Sequence, residues 1–142
     1  MFSAGNFKVI EFEKLTRTAQ EAATALGCEV GQIAKSIVFK TETENPVLVV
    51  ACGVNRIDET KVEKAIGMKI FKADAEYVKK MSGYAIGGVP PWGHQIMPIT
   101  IIDKDLARFE RIYAAAGKNN AVFELTFVDL VSNTKGNVIE VA

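Results

Sequence analysis

The chain has 142 residues, enough for one domain with a continuous buried core, and its 49% hydrophobic and 24% charged residues match a soluble globular protein. Its 17 basic and 17 acidic residues cancel, which argues against a protein that coats long nucleic acid but leaves room for a few local phosphate contacts. No apolar run approaches the roughly 20 residues of a membrane span. Met1 to Asn6 carries neither the basic nor the apolar segment of a secretion signal.

The elements predicted along the chain are short. Lys8–Phe12 reads as a first strand. Thr18 opens a helix as its cap, with Glu21 three residues on completing a capping box, and Gly27 closes it. Ala19, Ala22, Ala23 and Leu26 share one face of that helix, small enough for close packing on a sheet. Ser36–Lys40 and Val47–Ala51 follow as strands across a polar turn. The second is apolar throughout, as a strand buried on both faces would be.

Asp58 caps the next helix, with Ile57 and Val62 as a hydrophobic staple and Gly67 as its end. Met68–Phe71 is a short strand, and Asp74 caps a helix running to Met81. Strands are then expected at Ile99–Ile102, Arg111–Ala115, Ala121–Leu125 and Asn137–Val141, with a short helix opening at Thr126. Many short strands without regular βαβ alternation indicate an α+β class: a mixed, mostly antiparallel curled sheet with short flanking helices, one domain over residues 1–142.

Gly83 to His94 stands apart, with four glycines, two adjacent prolines, and the chain's one Trp and one His. Glycine admits positive φ and lets backbone approach a ligand, while Pro90 and Pro91 fix φ and donate nothing. Such a loop builds a pocket from main-chain groups. Residues 61–80 carry Lys61, Lys64, Lys69, Lys72, Lys79 and Lys80. They form either a solvated face or a rim that attracts phosphates.

Cys28 and Cys52 have no metal-site spacing, and one His does not complete a zinc site with them. Neither cysteine is a good nucleophile: Cys52 sits in an apolar run and Cys28 follows a helix C-terminus. A reducing, cytoplasmic setting fits both. No nucleophile elbow, zincin motif or carboxylate dyad is present. His94 is the one possible histidine base, though a loop histidine bonded to backbone is the simpler reading.

With these residues laid out, the chain resembles the YbaK/ProX family of aminoacyl-tRNA deacylases, which also occurs as an editing domain in prolyl-tRNA synthetases. Three segments carry the likeness: the capped Ala-rich helix followed by Gly31 to Phe39; Asp58 to Gly67 with Lys69 to Asp74; and Ser82 to Gly93. The resemblance implies that Lys35 meets the 3′-terminal aminoacyl-adenosine. It also implies that Gly87 to Pro91 surrounds the aminoacyl group, and that the substrate is a misacylated tRNA. Some members have an Asp where Val122 stands, and Ser-Gly-Gly-Lys-Arg-Gly where this chain has Ala115 to Asn120. These departures bear on which amino acid is removed.

An aminoacyl ester is already activated, so positioning and electrostatics can carry its hydrolysis. Lys35, Gly87 and Gly88 are the candidate catalytic residues. Ser36, Val89, Pro90, Pro91, Trp92, Gly93, His94 and Asn119 are candidate substrate contacts. Trp92 either stacks on a base or plugs the loop against the core, and strand alternation favours opposite faces for Lys35 and Ser36. No metal or cofactor is expected. The expected partner is a tRNA acceptor 3′ end, with an aminoacyl-tRNA synthetase as a further one and no membrane. Monomer and homodimer stay open. The alternatives are a non-catalytic module that binds an aminoacyl or nucleotide end, and a small esterase acting on free metabolites.

Overall fold

In the computed structural model, which describes residues 2–16 and 18–142, eight strands form one curled sheet flanked by four short helices. Met1 and Arg17 lie outside the described residues. The order is β1 (Val9–Glu11), α1 (Ala19–Leu26), β2 (Ile33–Thr41), β3 (Pro46–Cys52), α2 (Glu59–Ile66), β4 (Ile70–Lys72) and α3 (Ala75–Ser82), then β5 (Ile99–Asp103), β6 (Ile112–Ala115), β7 (Ala121–Leu125), α4 (Phe127–Thr134) and β8 (Asn137–Ile139). Turns of 3-10 helix at Val30–Gln32 and Lys104–Arg108 precede β2 and follow β5; the sequence pattern does not announce them.

The helix boundaries follow from capping chemistry. The side chains of Thr18, Asp58, Asp74 and Thr126 accept from backbone N–H groups in the first turns of α1 to α4. Each satisfies a donor that the helix itself cannot. Gly27, Gly67 and Gly83 end three of the helices in the left-handed region, where a side chain would be strained. No helix among the described residues is long and apolar enough to cross a membrane.

The sheet runs β1-β7-β6-β2-β3-β5-β8, with β4 also pairing to β2. Every residue of β3 is buried, as its apolar run predicts. Its side chains alternate between two cores. Leu48, Val50 and Cys52 join Val38, Ile102, Leu106 and Phe123 on one face. Val47, Val49 and Ala51 join Val62, Ile70, Ile101 and Val141 on the other, with Ile57 packed against the same cluster. Ala22 and Ala23 of α1 bury against Ile33, so the helix sits close to the start of β2.

One detail of the register shapes everything that follows. On the side of β2 away from β3, Ile33 and Ala34 pair with β6, and Phe39 to Thr41 pair with β4. Among the described residues, no strand pairs with residues 35–38 on that side. The sheet therefore opens a gap at Lys35, Ser36, Ile37 and Val38, where the backbone edge of β2 is presented rather than sealed.

Candidate functional site

The Gly/Pro loop closes over this gap. Its base is pinned by Gln95 and Ile96, whose N–H groups donate to the carbonyls of Ser82 (3.0 Å) and Met81 (2.8 Å). The Ser82 hydroxyl donates to the Val78 carbonyl (2.6 Å) and accepts from the Tyr84 N–H (3.0 Å). Within the loop, the Gly88 N–H donates to the Ala85 carbonyl at 2.9 Å, closing a turn around Gly87, whose φ is 93°. A Cβ on Gly88 would stand 2.9 Å from the carbonyl carbon of Lys118, so only glycine lets the loop rest on the 117–119 turn. Gly87 and Val89 border the space beneath the loop, and among the described residues neither N–H has a protein partner.

That space is a cavity of about 110 Å³ between α1, the open edge of β2, the ends of β6 and β7, and the loop. Its wall is mostly apolar: Ala19 and Ala22 from the helix, Ala115, Ala121 and Val122 from the sheet. Lys35 and Ser36 both border it. Strand alternation alone would separate these neighbours, but a cavity lying along a strand's edge touches consecutive residues. The Ser36 Oγ is buried with no hydrogen-bond partner among the described residues. Ser36 and Val89 also border a second apolar cavity of about 110 Å³ farther along the same open edge.

Lys35 is held from behind. Its Nζ donates to the Asn55 carbonyl at 2.6 Å. The Asn55 side-chain amide donates to Oδ2 of Asp103 (2.8 Å) and Oδ2 of Asp105 (2.7 Å). Asp103 is fully buried and also accepts from the Cys52 N–H and the Asp105 N–H, each at 2.9 Å. A buried carboxylate needs such compensation. Burial holds the pKa of Lys35 below the usual lysine value, with Cys52 and Asp103 pulling the other way. No local sequence signal marks this network. Asn55 and Asp103 meet because β3 and β5 pair in parallel, Val50 beside Ile102.

The aminoacyl-tRNA editing domain family matches residues 13–132 of the sequence. The chain belongs to that family. It is 36% identical over 118 residues, 83% of this chain and 75% of the other, to the uncharacterized protein YwhH of Bacillus subtilis. It is 30% identical over 127 residues, 87% of this chain and 76% of the other, to EbsC of Enterococcus faecalis, described as a proposed Cys-tRNA(Pro)/Cys-tRNA(Cys) deacylase. A crystal structure of a proposed trans-editing enzyme for prolyl tRNA synthetase superposes with a TM-score of 0.91 at 40% identity, covering 96% of this chain and 87% of that one.

In this editing domain the sequence candidates fall into three places. Lys35, Ser36, Gly87 and Val89 meet at the small cavity. Gly88 and Asn119 border a separate groove, and the Asn119 carbonyl accepts from the N–H (2.8 Å) and hydroxyl (3.2 Å) of Thr16. Pro91, Trp92, Gly93 and His94 border a third depression, while Pro90 is buried beside it. Trp92 packs edge-on against Phe123 with centroids 5.2 Å apart, and Phe2 and Phe7 lie within 6 Å of its ring. Nε2 of His94 bonds the Pro90 carbonyl at 2.6 Å, so that nitrogen carries the proton. Burial lowers the His94 pKa, partly offset by this bond.

Ala115 and Val122 make the cavity wall apolar on the sheet side. Tyr113 adds a polar edge, its hydroxyl donating to Oε1 of Glu124 at 3.1 Å. Neither cysteine borders the cavity. Cys52 Sγ donates to the Gly31 carbonyl in the core, and burial pushes the Cys28 thiol up. Among the described residues no three His, Cys, Asp or Glu side chains converge as a metal site.

Proposed function

We propose that this editing domain hydrolyses, in trans, the ester of tRNA mischarged with a small amino acid. The observation that carries the reading is the cavity of about 110 Å³ at the open edge of β2, bordered at once by Lys35 and by Gly87 and Val89, whose N–H groups have no protein partner among the described residues. A cavity of about 150 Å³ is what benzene occupies, so an aromatic side chain is too large and a side chain of cysteine or alanine size fits. EbsC, named for a cysteinyl substrate, is consistent with that range.

Lys35 pairs as a compact cation with the terminal ribose. Water attacks the ester carbonyl carbon, and the developing oxyanion accepts from the Gly87 and Val89 N–H groups. The bond from that carbon to the ribose oxygen then breaks, the ribose oxygen takes a proton, and free amino acid and uncharged tRNA leave. The neighbouring ribose hydroxyl or the α-amino group of the substrate orients the water. Ser36, whose buried hydroxyl lacks a partner among the described residues, supplies a further contact to the aminoacyl group.

Lys35→Ala tests this reading. Deacylation should fall about 10- to 100-fold, the worth of one charge-assisted hydrogen bond, in a protein whose circular dichroism and cooperative melt show that the fold persists. A folded Lys35→Ala protein with the wild-type rate contradicts the assignment. Tight binding of aminoacyl-tRNA without ester loss by the wild type would show a binding module instead.

A further inference from the structure

The small cavity accommodates only the acylated end of a nucleic acid, yet a wider depression lies directly beside it. This groove, about 480 Å³, is bordered by Lys79, Tyr84, Gly88, Gly117, Lys118 and Asn119, among others. Lys118 borders both spaces, and Gly87 faces the cavity where Gly88 faces the groove. The two are thus separated only by the contact of the loop with the 117–119 turn. A chain whose end enters the cavity would cross that ridge and lie in the groove.

The groove has the chemistry of a nucleotide site. Two lysines border it and, among the described residues, no Asp or Glu does. Lys79 is exposed at the end of α3, and among the described residues its Nζ has only a long contact, 3.4 Å, to the Gly83 carbonyl. Lys118 pairs with Glu11 at 3.0 Å, but both side chains are more than half exposed, so a phosphate can displace that pair at little cost. Tyr84 supplies an aromatic surface. Gly117 has φ 95° and would press a Cβ to 3.2 Å from the Tyr84 ring, so glycine lets the turn lie against it.

We propose that this groove binds the phosphodiester and the nucleotide immediately 5′ of the terminal nucleoside, with Lys79 and Lys118 on the phosphate and Tyr84 against the base or ribose. The assignment rests on the deacylase reading above and extends it from the acylated nucleoside to the strand that carries it.

The experiment compares two esters of the same amino acid: aminoacyl-adenosine, which has no phosphate, and an aminoacyl-oligoribonucleotide. Lys79→Glu reverses a charge in the groove; Lys80→Glu makes the same change one residue away on an exposed side chain that does not border it. Lys79→Glu should raise KM for the oligonucleotide about two- to fivefold, the size of one exposed ion contact, and leave aminoacyl-adenosine unaffected. Lys80→Glu should leave both near wild type. Equal effects of the two variants, or equal effects of Lys79→Glu on both esters, would overturn the groove assignment and leave the deacylase reading intact. Failure of the wild type to cleave either ester would instead refute the deacylase reading on which the groove depends.

Discussion

Replacing Asp103 with Asn changes one atom in the network behind Lys35, and its effects can be worked from the hydrogen bonds. Oδ2 accepts from Cys52 N–H and the Asn55 amide, and Oδ1 from Asp105 N–H. An asparagine best keeps its oxygen toward the two donors and turns its NH₂ toward Asp105 N–H. One charge-assisted bond, worth about 1.5–3 kcal/mol, is lost, and two others weaken to neutral bonds of about 1 kcal/mol. Relief of the buried charge offsets part of this, leaving a net loss of about 3 kcal/mol. For a chain of this size that lowers Tm by roughly 10 °C.

The same change removes an anion near Lys35. Asp103 raises the Lys35 pKa against the lowering by burial, so without it the pKa falls further below the usual value. If the lysine cation is the active form, the alkaline limb of the rate profile moves to lower pH. Thermal melts and a pH–rate profile read the two effects separately. A melting temperature and an alkaline limb both at their wild-type values would refute the reasoning.

Gly88→Ala should loosen the loop without altering any side chain that borders the cavity. The added Cβ meets backbone atoms of Lys118 at 2.9–3.1 Å, and overpacking of this kind costs about 1–3 kcal/mol, read by urea unfolding; an unchanged midpoint contradicts the predicted contact. His94 has a folded pKa below its ordinary 6.5, so its contribution to stability is complete above that value and is lost as pH falls through the folded pKa. His94→Gln, which keeps a donor for the Pro90 carbonyl, should flatten the fall in Tm below pH 6.5; an equally steep fall would assign it to other groups.

Element identity was legible in the sequence because it is set locally. Caps at Asp58, Asp74 and Thr18, glycine stops at Gly27 and Gly67, and the unbroken apolar run of β3 each act within a few residues. The cavity was not legible in the same way. It exists because β6 and β4 leave the middle of β2 unpaired, a fact of register between segments some 30 to 80 residues apart. The sequence reading started β2 at Ser36, but the strand begins at Ile33, and its first residues are the ones paired with β6. Asn55 and Asp103 carried no signal because their meeting depends on the β3–β5 pairing. The loop marked itself by composition, but not by direction. Packing of Trp92 on Phe123, Phe2 and Phe7 turns residues 91–94 away from the cavity that Gly87 and Val89 border.

The measurement that bears most directly on the central claim is single-turnover ester loss from a panel of aminoacyl-tRNAs graded by side-chain size. The cavity predicts fast deacylation of alanyl- or cysteinyl-tRNA and little of phenylalanyl- or tryptophanyl-tRNA, with Lys35→Ala slow on all of them. Hydrolysis of large and small aminoacyl groups at equal rates, or none of either, would contradict it.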